Sequence, residues 1–174
     1  SPSSTTSYSV YGFTGSCISN TTVGQVVVNA NPTVSAANGT ICAGNSLTLS
    51  ANGASSFTWS AGSVVSPAAT SVYTVTGSNG NCLSAPVQVT VLVNQLPTVS
   101  IIGSNTACLN QNITLNASGA SSYTWSNGGN SAANTFSSSV VSNSVMSVTG
   151  VDNNGCSNTA SASVQFIDCT VGIF

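Results

Sequence analysis

The chain contains no lysine, no arginine and no histidine, and Asp152 and Asp168 are its only side-chain carboxylates. Each absence excludes a class of function. Without cationic side chains nothing neutralises a phosphate backbone, so no nucleic-acid partner is expected. Polybasic attachment to anionic lipid falls with it. Without histidine the commonest general base and metal ligand is missing, and the many serines have neither His nor Lys to activate them. No apolar run reaches the roughly 18 residues that a membrane-spanning helix needs, so no membrane insertion is expected. No signal peptide is visible, and Ser1 reads as the start of a processed chain or of a fragment. Helical periodicity sustained over three turns is also lacking.

What is present can build a core. A charged fraction of 1 % in a chain rich in Ser, Thr, Asn and Gly could describe a flexible linker, but 41 % of the 174 residues are hydrophobic. Val, Ile, Leu and aromatic residues recur at regular positions, which is more apolar surface than a disordered segment carries. Six cysteines stand at 17, 42, 82, 108, 156 and 169. None forms a CxxC pair and no histidine could complete a zinc site, so disulfides in an oxidising, extracellular compartment are expected.

The chain repeats itself. Gly53-Ala54-Ser55-Ser56-Phe57-Thr58-Trp59-Ser60 returns 66 residues later as Gly119-Ala120-Ser121-Ser122-Tyr123-Thr124-Trp125-Ser126, and Cys42 returns as Cys108. In the other direction Tyr73-Thr74-Val75 matches Tyr8-Ser9-Val10, Cys82 matches Cys17 and Pro97 matches Pro32, at an offset of 65. The register divides the chain into the second half of one repeat (1–31), a full repeat (32–96), another full repeat (97–167) and a tail (168–174). Cys108 and Cys156 are 48 residues apart, against 40 for Cys42 and Cys82. The eight extra residues fall around 127–143, a Ser/Asn/Gly-rich stretch that reads as a longer loop.

Each repeat reads as short strands. Leu47, Leu49 and Ala51 alternate with polar residues, Phe57 and Trp59 flank Thr58, Tyr73 and Val75 flank Thr74, and Val87, Val89, Val91 and Val93 form a longer alternating run. A period of two is the signature of half-buried strands. Asn52-Gly53, Asn79-Gly80 and Asn154-Gly155 supply turns. The expected fold is all-β: tandem immunoglobulin-like sandwiches, with Trp59 and Trp125 at the centre of their cores. Domains this small have marginal cores, and disulfides compensate. The spacing predicts Cys42–Cys82 and Cys108–Cys156, one bridge inside each full repeat, each worth on the order of 4 kcal/mol. Cys17 and Cys169 remain unmatched; both pair outside the chain, or they pair with each other, within or between subunits. An isolated half sandwich leaves strand edges and an apolar face open. Either a longer polypeptide continues upstream of it, or a neighbouring subunit donates strands.

The run Thr40-Ile41-Cys42-Ala43-Gly44-Asn45-Ser46-Leu47-Thr48-Leu49, then Gly53 to Ser60, Tyr73-Thr74-Val75-Thr76-Gly77 and Cys82, resembles the Ig-like/PKD-like repeats of Bacteroidota surface proteins. That resemblance covers nearly the whole chain. It implies a secreted protein at the cell surface: an adhesin, a gliding-associated filament or a multidomain exported enzyme. The tail Asp168-Cys169-Thr170-Val171-Gly172-Ile173 resembles the junction before a type IX secretion sorting domain.

Candidate sites are few. Asp152-Asn153-Asn154-Gly155 offers one carboxylate, where calcium sites gather several, and reads as a turn. Asp152 and Asp168 are the only possible glycosidase-type pair and lie in different elements. No catalysis, metal or cofactor is expected. Trp59, Trp125, Tyr73 and Tyr123 read as core residues rather than a sugar-stacking platform; Tyr8, Tyr11 and Phe13 are less constrained. Asn20, Asn38, Asn112 and Asn116 match the N-glycosylation pattern, as chance allows in so Asn- and Thr-rich a chain. The expected function is a structural segment of a surface adhesin stalk or self-assembling filament. Its uncharged surface lets identical faces pack without electrostatic repulsion. The alternatives are a glycan-binding accessory module, with surface polysaccharide as partner, or a spacer of a large secreted enzyme.

Overall fold

The computed structural model describes residues 1–170, which are all β, with no helix among them. Residues 171–173 of the tail motif lie outside the described residues. The chain forms two compact units. One comprises Ser1–Gly39, Ser46–Ser66 and Ser71–Val91; the other comprises Thr40–Asn45, Pro67–Thr70 and the chain from Leu92 onward.

The first unit opens with β1 (Thr6–Val10), β2 (Phe13–Thr14), β3 (Cys17–Ile18) and β4 (Thr22–Val26). β1 and β4 form a two-stranded antiparallel sheet from Thr6↔Val26 to Val10↔Thr22, and β2 and β3 form a short hairpin. The strands that follow are β5 (Ser35–Ala36), β6 (Gly39–Cys42), β7 (Leu47–Thr48), β8 (Ala51–Asn52), β9 (Ser56–Trp59), β10 (Val64–Val65), β11 (Ser71–Asn79), β12 (Cys82–Leu83) and β13 (Val87–Asn94). β11 is the central strand and pairs antiparallel with β9, β12 and β13. β5 pairs β8 and β7 pairs β10 to make the facing layer. Alternation explains which side chains face inward. Val75, Val89 and Val91 on the large sheet are fully buried, and Val34, Leu49 and Val65 from the facing layer are nearly so. Gly77 of β11 leaves room for the Val34 side chain to cross between layers.

In the second unit the chain continues as β14 (Ser100–Gly103), β15 (Thr106–Cys108), β16 (Ile113–Ser118), β17 (Ser122–Trp125), β18 (Ala133–Phe136), β19 (Ser142–Val151) and β20 (Ser157–Ile167). A three-stranded sheet in the order β14-β16-β18 faces a four-stranded sheet in the order β15-β20-β19-β17. Ile113, Leu115 and Ala117 alternate with exposed polar residues along β16 and meet Trp125, Met146, Val148, Val164 and Phe166 from the other sheet. Phe136 adds an edge-on contact to Phe166, with ring centroids 6.0 Å apart. These two inner faces are the core of a β-sandwich.

Two expectations are corrected here. Trp125 is 2 % exposed and central, but Trp59 is only half-buried. The extra residues of the last repeat account for the difference. The chain after Trp125 folds back over it: the indole N–H donates to the Ser131 carbonyl at 2.8 Å, and the Trp125 backbone N–H to the Gly129 carbonyl at 2.8 Å. Nor is the stretch 127–143 only a loop. It contains β18, which pairs with β16 and is pinned by mutual amide hydrogen bonds between Asn127 and the buried Asn134.

Candidate functional site

Cysteine is the one reactive side chain in quantity here, and the sandwich decides which thiols meet. In the last repeat, β15 runs parallel to β20 with Cys108 opposite Ile167, and the Leu109 N–H donates to the Ile167 carbonyl at 2.9 Å. Cys108 therefore lies at the C-terminal end of β20. Cys156 immediately precedes its N-terminal end. Eleven residues of strand separate the two, roughly 35 Å at about 3.3 Å per residue. A disulfide tolerates less than about 7 Å between Cα atoms. The expected Cys108–Cys156 bridge is thus excluded by strand length.

The bridges are Cys42–Cys156 and Cys108–Cys169, with Cα–Cα distances of 5.6 and 5.5 Å. The expected Cys42–Cys82 bridge is corrected with the other: Cys42 is taken by Cys156, and Cys82 is a free, half-buried thiol. Cys17 is free and exposed. Cys169, expected to be unmatched, lies two residues beyond β20 and so reaches Cys108. Sequence reasoning missed this because it assumed that each repeat closes on itself.

A turn sets Cys156 in place. The Asp152 carboxylate accepts the backbone N–H groups of Asn154 and Cys156, both at 2.8 Å, and the Asp152 N–H donates to the Cys156 carbonyl at 2.9 Å. Gly155 supplies the left-handed residue that closes it, at φ 79°. Cys156 is fully buried. Asp152 therefore acts as a turn carboxylate. Around the bridge, Cys42, Ala43, Asn45, Gly155 and Ser157 line a shallow depression together with Leu96 of the inter-repeat linker, and the Asn158 amide donates to the Pro97 carbonyl at 3.0 Å.

Asp168 is fully exposed beyond the far end of β20. The Thr170 hydroxyl, and then the Thr170 backbone N–H, hold its carboxyl below the ordinary value. A glycosidase needs its two carboxyl groups within about 10 Å, but these two stand at opposite ends of β20. Among the described residues no group of three or more His, Cys, Asp or Glu could hold a metal. Tyr73 and Tyr123 are half-buried, and the Tyr123 hydroxyl is held by the Ala120 backbone. Tyr8, Tyr11 and Phe13 are exposed at 52, 59 and 76 %.

No family model matches this chain, and no curated protein matches it. Among solved structures it is similar to the fibronectin(III)-like modules of Clostridium thermocellum CbhA, at 20 % identity over 78 % of this chain and 94 % of that one, with a TM-score of 0.39.

Proposed function

We propose that this chain is a non-catalytic structural segment of a secreted, extracellular protein, built into a surface adhesin stalk or a self-assembling filament. The observation that carries this reading is the Cys42–Cys156 bridge. Its two ends belong to successive sequence repeats and flank the linker at Leu96 and Pro97. Tension along a tandem array passes from repeat to repeat through such linkers. A cystine beside the linker is a second covalent path, and it persists only in an oxidising compartment.

The charge-free surface supports the same reading. Strands that other proteins join with ion pairs are joined here by opposed hydroxyls: Ser100 with Ser118 at 2.9 Å, Thr114 with Thr135 at 2.8 Å and Thr149 with Thr159 at 3.1 Å. Each pair sits directly across the ladder, where such contacts contribute a few tenths of a kcal/mol to about 1 kcal/mol. With a net charge of −2, like faces approach one another with little repulsion.

Electron microscopy of the native protein tests the proposal, with ordered fibres or stalks as the expected result. Dispersed monomers at high concentration would remove the filament form. Saturable binding on a glycan array, abolished by Tyr11→Ala or Phe13→Ala, would replace the structural reading with carbohydrate recognition.

A further inference from the structure

Residues 1–31 reproduce, strand for strand, the second half of the repeat that follows. Thr6↔Val26 to Val10↔Thr22 has the register of Ser71↔Val91 to Val75↔Val87, and Thr14↔Cys17 has that of Asn79↔Cys82. Cover is what differs. Val75 and Val91 are 0 % exposed, whereas their counterparts Val10 and Val26 are 66 % and 44 % exposed. In the full repeat the cover is its own first half: β9 pairs with β11, and Val34 packs on Gly77. The segment that would do this for residues 1–31 is not among the 174 residues.

The cysteines point independently to the same segment. In both full repeats, the residue after the leading cysteine donates its N–H to the last carbonyl of the repeat's final strand: Ala43 to Asn94 at 2.8 Å and Leu109 to Ile167 at 2.9 Å. Each leading cysteine, docked there, bonds a cysteine from the chain that follows its repeat, Cys42 to Cys156 and Cys108 to Cys169. Asn29 is the counterpart of Asn94, 65 residues earlier. The free thiol of Cys82 lies 3.7 Å from the Asn29 carbonyl oxygen. Cys82 thus faces the place where a leading cysteine of the preceding repeat would dock.

We propose that the array carries a staggered disulfide ladder, in which the leading cysteine of each repeat bonds the trailing cysteine of the next. Cys82 takes as partner the leading cysteine of a segment upstream of Ser1, equivalent to residues 32–65, which also covers the open face of β1 and β4. An S–S bond forms as two S–H bonds break. The two protons and two electrons pass to the cystine of a thiol–disulfide exchange protein, which leaves as its dithiol. The ladder rests on the tandem-array reading, but not on the filament.

The test is peptide mapping of the native full-length protein, alkylated with iodoacetamide without reductant and digested with pepsin. Cys82 is expected to escape alkylation and to be linked to an upstream peptide of the same chain. Electrophoresis with and without reductant then shows one chain mass. Alkylated Cys82, a Cys17–Cys82 or Cys42–Cys82 linkage, or a covalent dimer through Cys82 would overturn the proposal. In a full-length Cys42→Ser variant, Cys156 becomes alkylatable while Cys82 stays protected; release of Cys82 would contradict it. A dispersed monomer that carries the Cys82 linkage would end the filament reading and support the ladder.

Discussion

Trp59 and Trp125 occupy the same position of the same octapeptide, yet only Trp125 is enclosed. The sequence register made the equivalence legible. It did not show that the six residues after one indole would fold back over it, because cover depends on residues outside the matched motif. Trp125→Ala should cost about 3–5 kcal/mol and Trp59→Ala clearly less, measured as shifts in the urea midpoint. Equal losses would contradict the burial difference. Gly119 is a second test at this scale. It sits at φ 94°, and a Cβ there would collide with the Thr98 carbonyl oxygen, as one at Gly53 would with that of Thr33. Gly119→Ala should destabilise by at least about 2 kcal/mol, strain and collision together. The Asp168 carboxyl should titrate below its ordinary value by NMR, and Thr170→Ala, which removes the hydroxyl but keeps the backbone N–H, should raise it only part of the way back. Because its folded pKa is depressed, the Thr170 contacts favour the native state above the unfolded pKa. They are lost as pH falls through the folded one. Asp168 is fully exposed, so the consequence is local.

Among the elements, the long alternating runs were the most legible. Val89, Val91 and Val93 are buried along β13, as their period of two requires. The apolar alternation of Leu47, Leu49 and Ala51 is real, but it is split into β7 and β8, whereas the matching stretch of the last repeat is the unbroken β16. β18 was not legible because Ala133-Asn134-Thr135-Phe136 buries an asparagine where a strand pattern calls for an apolar residue. The Asn127 amide makes that burial tolerable. The turn before Cys156 was legible from its Asn-Gly pair, but its role in holding a bridged cysteine was not. Asp152→Ala leaves two backbone N–H groups without their carboxylate. It should cost about 1–2 kcal/mol and make Cys156 easier to reduce, read by the dithiothreitol concentration at half-alkylation.

Taken whole, the molecule reversed the most specific expectation. Spacing suggests which cysteines are equivalent, but partners are fixed by which end of a strand each occupies, and β20 keeps Cys108 and Cys156 apart along its full length. The bridges instead link each leading cysteine to later chain, across 114 and 61 residues. Loop-closure entropy for such spans is about 5 and 4 kcal/mol, enough to decide the stability of small sandwiches. A mechanical consequence follows. In single-molecule pulling from both ends, the Cys42–Cys156 bridge withholds 114 residues, and reduction should lengthen the extensible contour by roughly 400 Å. Cys42→Ser without reductant should fall short of the full length only by the 61 residues that Cys108–Cys169 still withholds, roughly 210 Å. The central claim, a structural segment outside the cell, is tested most directly by immunogold electron microscopy of intact native cells with an antibody against this chain. Gold is expected along fibres or stalks that project from the surface. Gold confined to the cell interior, or to soluble secreted material with no fibre attached, would contradict it.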